Sequence, residues 1–159
     1  MADERLVWED LTEGDVAVSA GRTITETDVV NFAGLSGDFN WFHVDAVAAR
    51  DSVFGQRVAH GMLVLSIATG LQVGQMEPRI ATAAFMGLKE WQFRGAVFFG
   101  DTIRVRRTIG AKSEHKSPAQ GLCVYDVEVL NQDDKVVQKG QWNMLIRRRA
   151  PVEAAGRAG

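Results

Sequence analysis

The chain has 159 residues, 46% of them hydrophobic and 24% charged, with 18 basic against 20 acidic side chains and a formal net charge of -2. This composition suits one soluble domain with a real core and gives no electrostatic signal for nucleic acid or an anionic membrane. The acidic start, MADERLVWED, lacks the apolar segment of a secretory signal, and the single cysteine, Cys123, allows no internal disulfide, so a cytoplasmic protein is expected.

In chain order, Val16 to Ile24 reads as a first strand. Thr25 then opens TETDVVNFAGLSG, where Thr25 and Asp28 stand in the relation of a capping box and Val29, Val30, Phe32 and Ala33 supply an apolar face. The helix should stop at Gly34 to Gly37, where glycine permits a backbone reversal. Asp45 is a plausible N-cap for a short helix, DAVAARDS.

From His60-Gly61 to about Met76 the sequence is apolar on nearly every side, which predicts a helix surrounded by protein. It falls short of the about 20 apolar residues that a bilayer span needs.

From Thr82 onward, alternation predicts strands: Thr82 to Trp91, Gln92 to Phe99, Thr102 to Ile109, Leu122 to Leu130 and Val136 to Ile146. Asn131 to Lys135 is a hairpin turn between the last two, and Lys112 to Gly121 a polar connection. In the last strand Val136, Trp142, Met144 and Ile146 share one parity, while Lys139, Gln141 and Asn143 share the other. Arg147 to Arg149 is read as a solvated strand end. The expected class is therefore α+β, a curved antiparallel sheet around a long apolar helix, in one domain over residues 1–149 with a flexible tail at 150–159. Pairing two chains through their sheets would cover the helix and hide sheet edges, so a homodimer is expected.

The segment GDFNWFH, Gly37 to His43, is the chemical anomaly, because it mixes a carboxylate, a carboxamide and an imidazole with three aromatic rings. On a straight strand Asp38 and His43 would point to opposite faces, so they can converge only across a turn, for which Gly37 and Asn40 are suited. Asn40 is expected to bond the loop backbone. Three histidines (His43, His60, His115) and one cysteine show no metal-ligand spacing, and no Gly-rich phosphate loop follows a strand, so neither a metal nor a nucleotide cofactor is expected.

With these elements in view, the sequence resembles the MaoC-like dehydratases, the (R)-specific enoyl-CoA hydratases of the hotdog fold. Gly37-Asp38-Phe39-Asn40-Trp41-Phe42-His43 matches the family's G-D-x-N-P-x-H, His60-Gly61-Met62-Leu63 its H-G-M-L, and Phe93 to Thr102 more loosely its F-x-x-P-V-x-x-G-D. Trp41 and Ala96 stand where the family has proline. Trp41 loses the fixed φ of proline and puts a bulky ring beside the expected site, pointing to short or medium acyl chains.

The resemblance implies reversible hydration of a trans-2-enoyl-CoA to an (R)-3-hydroxyacyl-CoA, with Asp38 and His43 as the catalytic pair. It implies the backbone N–H of Gly61, at a helix start, as oxyanion donor. No cofactor is needed, since CoA arrives as part of the substrate. Asn40, Trp41, His60 and Thr69 would shape or position the site. His60 is expected to pack or orient the turn, and Thr69 either neighbours the site or bonds its own helix backbone.

Three alternatives share the fold: an acyl thioesterase, a 3-hydroxyacyl-carrier-protein dehydratase and a non-catalytic partner subunit. A thioesterase would carry a carboxylate on the central helix, and none occurs between Gly61 and Met76.

Overall fold

The computed structural model describes residues 5–149, and the expected tail lies outside them. A 3-10 turn, Trp8–Asp10, leads to β1 (Val16–Val18) and β2 (Arg22–Thr23). The helices are α1 (Glu26–Ser36), α2 (Trp41–Val44) and α3 (Gly61–Gly74). Four long strands follow: β3 (Thr82–Phe93), β4 (Thr102–Glu114), β5 (Gln120–Leu130) and β6 (Val136–Arg147). The sheet is antiparallel in the order β1-β4-β5-β6-β3, with β2 also paired to β4. This is the expected α+β arrangement.

Local chemistry accounts for the boundaries. Thr25 Oγ1 accepts from the Asp28 N–H while Asp28 accepts from the Thr25 N–H, closing the predicted capping box of α1. Gly37 ends that helix at φ 76°, a left-handed cap. Between β5 and β6, Asn131 Oδ1 accepts from the N–H groups of Asp133 and Lys135, which fixes the predicted hairpin.

The apolar face of α3, including Leu63, Val64, Ala68 and Leu71, packs in one core with Val105, Tyr125, Val127, Trp142 and Ile146 of the sheet. Each fully buried Leu or Val side chain contributes about 1.5–3 kcal/mol.

Five expectations are corrected. The first strand is broken into β1 and β2, because Ser19 turns its hydroxyl inward to accept from the Val105 N–H and Ala20 bonds the end of α3 instead of the sheet. The helix after Asp45 is only a 3-10 turn, Ala48–Asp51, with Asp45 Oδ1 accepting from Val47 and Ala48. Gln92 to Phe99 is not a separate strand. β3 runs on to Phe93, and the chain then crosses to the segment before α3, where the Val97 carbonyl accepts from Ala59. The polar connection is shorter than expected, since β4 and β5 extend into it.

Finally, α3 is not surrounded within one chain. Met62 and Val73 are 53% and 66% exposed, with Ser66 between them on the same stripe. β3, the outermost strand, also leaves Phe85, Met86, Leu88 and Phe93 exposed.

The basic strand end is engaged in ion pairs. Arg148 pairs with Glu9 and Glu114, and Arg149 with Asp10, which ties the N-terminal turn to the end of the sheet. Trp8 completes this clasp by donating from Nε1 to the Leu122 carbonyl.

Candidate active site

Gly37 reverses the chain, Asp38 to Asn40 cross a gap, and α2 starts at Trp41, so the two polar residues of the anomalous segment meet across a turn. The Asp38 Oδ2 atom lies 4.0 Å from His43 Nε2. Asp38 is half exposed, whereas His43 is buried. The His43 Nδ1 atom is 2.6 Å from the Val58 carbonyl. A carbonyl only accepts, so Nδ1 carries the hydrogen and, in the neutral ring, Nε2 presents a lone pair towards Asp38.

Burial is the main influence on His43 and holds its pKa below the usual 6.5; the Val58 carbonyl opposes this, His60 adds to it, and the Asp38 charge opposes it. His43 is thereby a neutral base at ordinary pH.

The surrounding loop is pinned on both sides. Val58 N–H donates to the Phe42 carbonyl and Ala59 N–H to the Val97 carbonyl. Beside them opens a cleft of about 510 Å³, walled by Phe42, His43, Phe54, Gly61, Phe93 and Gln138, among others. Gly61 is the first residue of α3, where backbone N–H groups lack intrahelical acceptors and the helix dipole is positive. A Cβ on Gly61 would stand 2.7 Å from the Phe93 ring, so glycine is what lets the ring rest in this position.

His60, the N-cap of α3, is buried and stacks on His43 with ring centroids 3.7 Å apart and planes at 25°. Its Nε2 is 2.9 Å from the Asp38 carbonyl oxygen.

Other expected site residues fall elsewhere. Asn40 makes no side-chain cap bond; its backbone N–H donates to Asp38 Oδ1, so the main chain, not the carboxamide, braces the turn. Trp41 is 46% exposed and rests edge-on against Phe42 without lining the cleft, so its bulk gives no argument about acyl length. Phe42 and Phe54 are the aromatic walls. Thr69 Oγ1 donates to the Ser66 carbonyl of its own helix, and Thr69 does not line the cleft. In the third motif, Gly100 at φ 90° and Asp101, which accepts from the Phe98 N–H, build a turn.

Gln138 was not anticipated. It is buried in the cleft wall, donating from Nε2 to the Gly61 carbonyl and accepting at Oε1 from Trp91 Nε1. The available signal was parity: Gln138 is a polar residue in register with Val136 and Trp142, on the apolar side of its strand.

Asp38, His43 and His60 offer ligand atoms within 4.8 Å of one another, a grouping that sequence spacing did not suggest. The distances would admit a metal ion, but the directions fit poorly. In-plane lone pairs of two nearly parallel stacked imidazoles run side by side, whereas a tetrahedral ion needs ligands converging from separated directions. Among the described residues, no helix is long and apolar enough to cross a membrane.

A curved antiparallel sheet over one central helix is the architecture of hotdog-fold proteins. Residues 9–129 match the family model described as MaoC like domain, and the chain belongs to that family. It is 41% identical over 123 residues to Protein MaoC of Klebsiella aerogenes, covering 72% of this chain but only 36% of that protein's length. It is 36% identical over 102 residues to an (R)-specific enoyl-CoA hydratase of Rhodospirillum rubrum, covering 64% of this chain and 68% of the relative. The crystal structure of a MaoC-like dehydratase from Rhodospirillum rubrum superimposes with a TM-score of 0.81 at 30% identity, over 91% of this chain and 99% of that one. Relatives in this family carry the names of hydratases and dehydratases.

Proposed function

We propose that the protein reversibly adds water to a trans-2-enoyl-CoA, giving an (R)-3-hydroxyacyl-CoA. The observation that carries this reading is the 4.0 Å separation of Asp38 Oδ2 and His43 Nε2 beside a cleft that reaches Gly61. That gap is too long for a direct hydrogen bond and short enough for one water to touch both groups. His43 Nε2 takes one proton from the water, and the Asp38 carboxylate holds the hydrogen that stays on the new hydroxyl. The water oxygen bonds to C3 as the C2–C3 π electrons move to the thioester. Negative charge gathers on the thioester oxygen, which the Gly61 N–H steadies; losing one such donor costs on the order of 3 kcal/mol. The proton taken from water is delivered to C2, and no electrons are gained or lost. The reaction therefore needs no cofactor.

The site is read as belonging to a cytoplasmic homodimer. The open β3 edge and the exposed Met62 and Val73 stripe of α3 support the pairing. The buried Cys123 thiol, pushed up to about 11 by burial, suits a protein that keeps its cysteine reduced.

The test is direct. Purified protein with crotonyl-CoA should remove the conjugated enoyl-thioester absorbance without releasing free thiol. Thiol release would instead indicate hydrolysis, which the absence of a carboxylate along α3 argues against.

A further inference from the structure

We propose that His60 is a positioning residue for the hydration reaction, holding Asp38 by its ring N–H and His43 by its ring face. This deepens the hydratase reading and rests on it.

The argument starts from hydrogen positions. His60 Nε2 meets the Asp38 carbonyl at 2.9 Å, and since a carbonyl only accepts, Nε2 bears the hydrogen. His60 Nδ1 is buried with no hydrogen-bond partner. His43 is fixed in the opposite tautomer by the Val58 carbonyl. The two rings thus lie face to face, and Phe32 closes on His60 at 5.1 Å.

This gives His60 a task that neither packing nor capping requires. The Asp38 side chain is half exposed, and the backbone N–H of Asn40, at 3.2 Å, is the donor that holds it. What fixes Asp38 relative to His43 is the His60 ring, bonded to the Asp38 main chain and stacked on the His43 imidazole. The same residue is joined by its peptide bond to Gly61, so acid group, base and oxyanion donor share one rigid support. Small displacements of reacting groups are costly, on the order of 100-fold in rate for about 1 Å.

Two substitutions separate the two contacts. His60→Phe keeps a ring against His43 but cannot donate to Asp38; His60→Gln keeps a donor of similar reach without the stacked ring. The expected result is a kcat loss on the order of 10- to 100-fold for His60→Phe with KM changed less than about threefold. His60→Gln should recover part of that loss. Wild-type kcat in His60→Phe, or a loss confined to KM, would overturn the proposal. An activity-independent measurement accompanies this, namely long-range proton–nitrogen NMR of the imidazoles in the wild-type protein. His60 should carry a hydrogen on Nε2, bonded to the Asp38 carbonyl. The Nδ1–H tautomer, with Nε2 bare, would sink the positioning role. Enoyl-CoA left unturned by a protein with the expected tautomers would instead fault the hydratase reading.

Discussion

His43 receives its orientation from Val58, not from Asp38: the Nδ1–H bond to the Val58 carbonyl is 2.6 Å, while the carboxylate stays 4.0 Å from the opposite nitrogen. In the proposed reaction the base is therefore aimed by the backbone, and the carboxylate is left free to hold a water. Asp38→Asn should therefore lower kcat by at least about 100-fold, the scale of general acid–base contributions, with an unchanged far-UV spectrum and melting temperature. His43→Gln should lose as much activity. Steady-state hydration of crotonyl-CoA measures both, and near wild-type turnover in either variant removes that residue from the chemistry.

The lowered pKa of His43 sets a sign for the pH dependence. Buried neutral, His43 stays a base as pH falls below 6.5, so the acid limb of kcat/KM should lie below that value. Folding should show the same group. Between 6.5 and the lower folded-state pKa the unfolded chain binds more protons, so stability falls as pH drops through that window. His43→Gln should flatten this part of the stability profile, as read by urea denaturation at successive pH values.

Gly61→Ala should leave stability equal or slightly higher, because alanine is the better helix former by about 1 kcal/mol and the Phe93 ring can swing aside. Activity should nevertheless fall at least about tenfold, since the displaced ring enters the cleft beside the Gly61 N–H, the proposed oxyanion donor. The double variant Gly61→Ala/Phe93→Leu should regain most of it. No rescue would mean that the ring is not the obstacle.

Gln138→Leu removes the donor to the Gly61 carbonyl and leaves Trp91 Nε1 without its acceptor. The expected cost is about 1–3 kcal/mol in equilibrium unfolding, together with a lower kcat as the first turn of α3 loosens. A stability change without any kinetic change would mark Gln138 as a core residue only.

The clasp at the chain ends has its own pH signature. Burial pushes the Glu9 pKa up, but bonds from Arg148 and the Arg149 backbone outweigh it and bring the value from 4.5 to about 2. Its contribution is present above 4.5 and disappears as pH falls towards 2. Glu9→Gln should cost about 1 kcal/mol at neutral pH, as befits a partly exposed pair, and nothing near pH 2. Parallel melting curves at the two pH values test this.

Features governed by neighbouring residues were legible in advance: the Thr25–Asp28 cap, the Gly37 stop, the Asn131 turn and the inward parity of Trp142, Met144 and Ile146. The meeting of Asp38 with His43 was implied by the family resemblance, and the turn that it requires could be read from Gly37 and Asn40. What the sequence did not disclose depends on distant partners. Whether Asn40 or the main chain braces the turn is decided by where the Asp38 carboxylate rotates. The direction of Trp41 follows from Phe42 occupying the wall. The bend after Phe93 answers to Ala59, which lies 34 positions earlier in the chain.

The cleft has a further consequence for how such an enzyme can change. Its aromatic wall, Phe42 and Phe54, and its flexible floor, Met62, are not bonded to the Asp38 carboxylate, and its reactive end is fixed by the backbone at Val58 and the amide of Gln138. On the hydratase reading, the shape that would select an acyl tail can therefore be redrawn one side chain at a time, by drift or by design, while the Asp38–His43 pair is inherited intact.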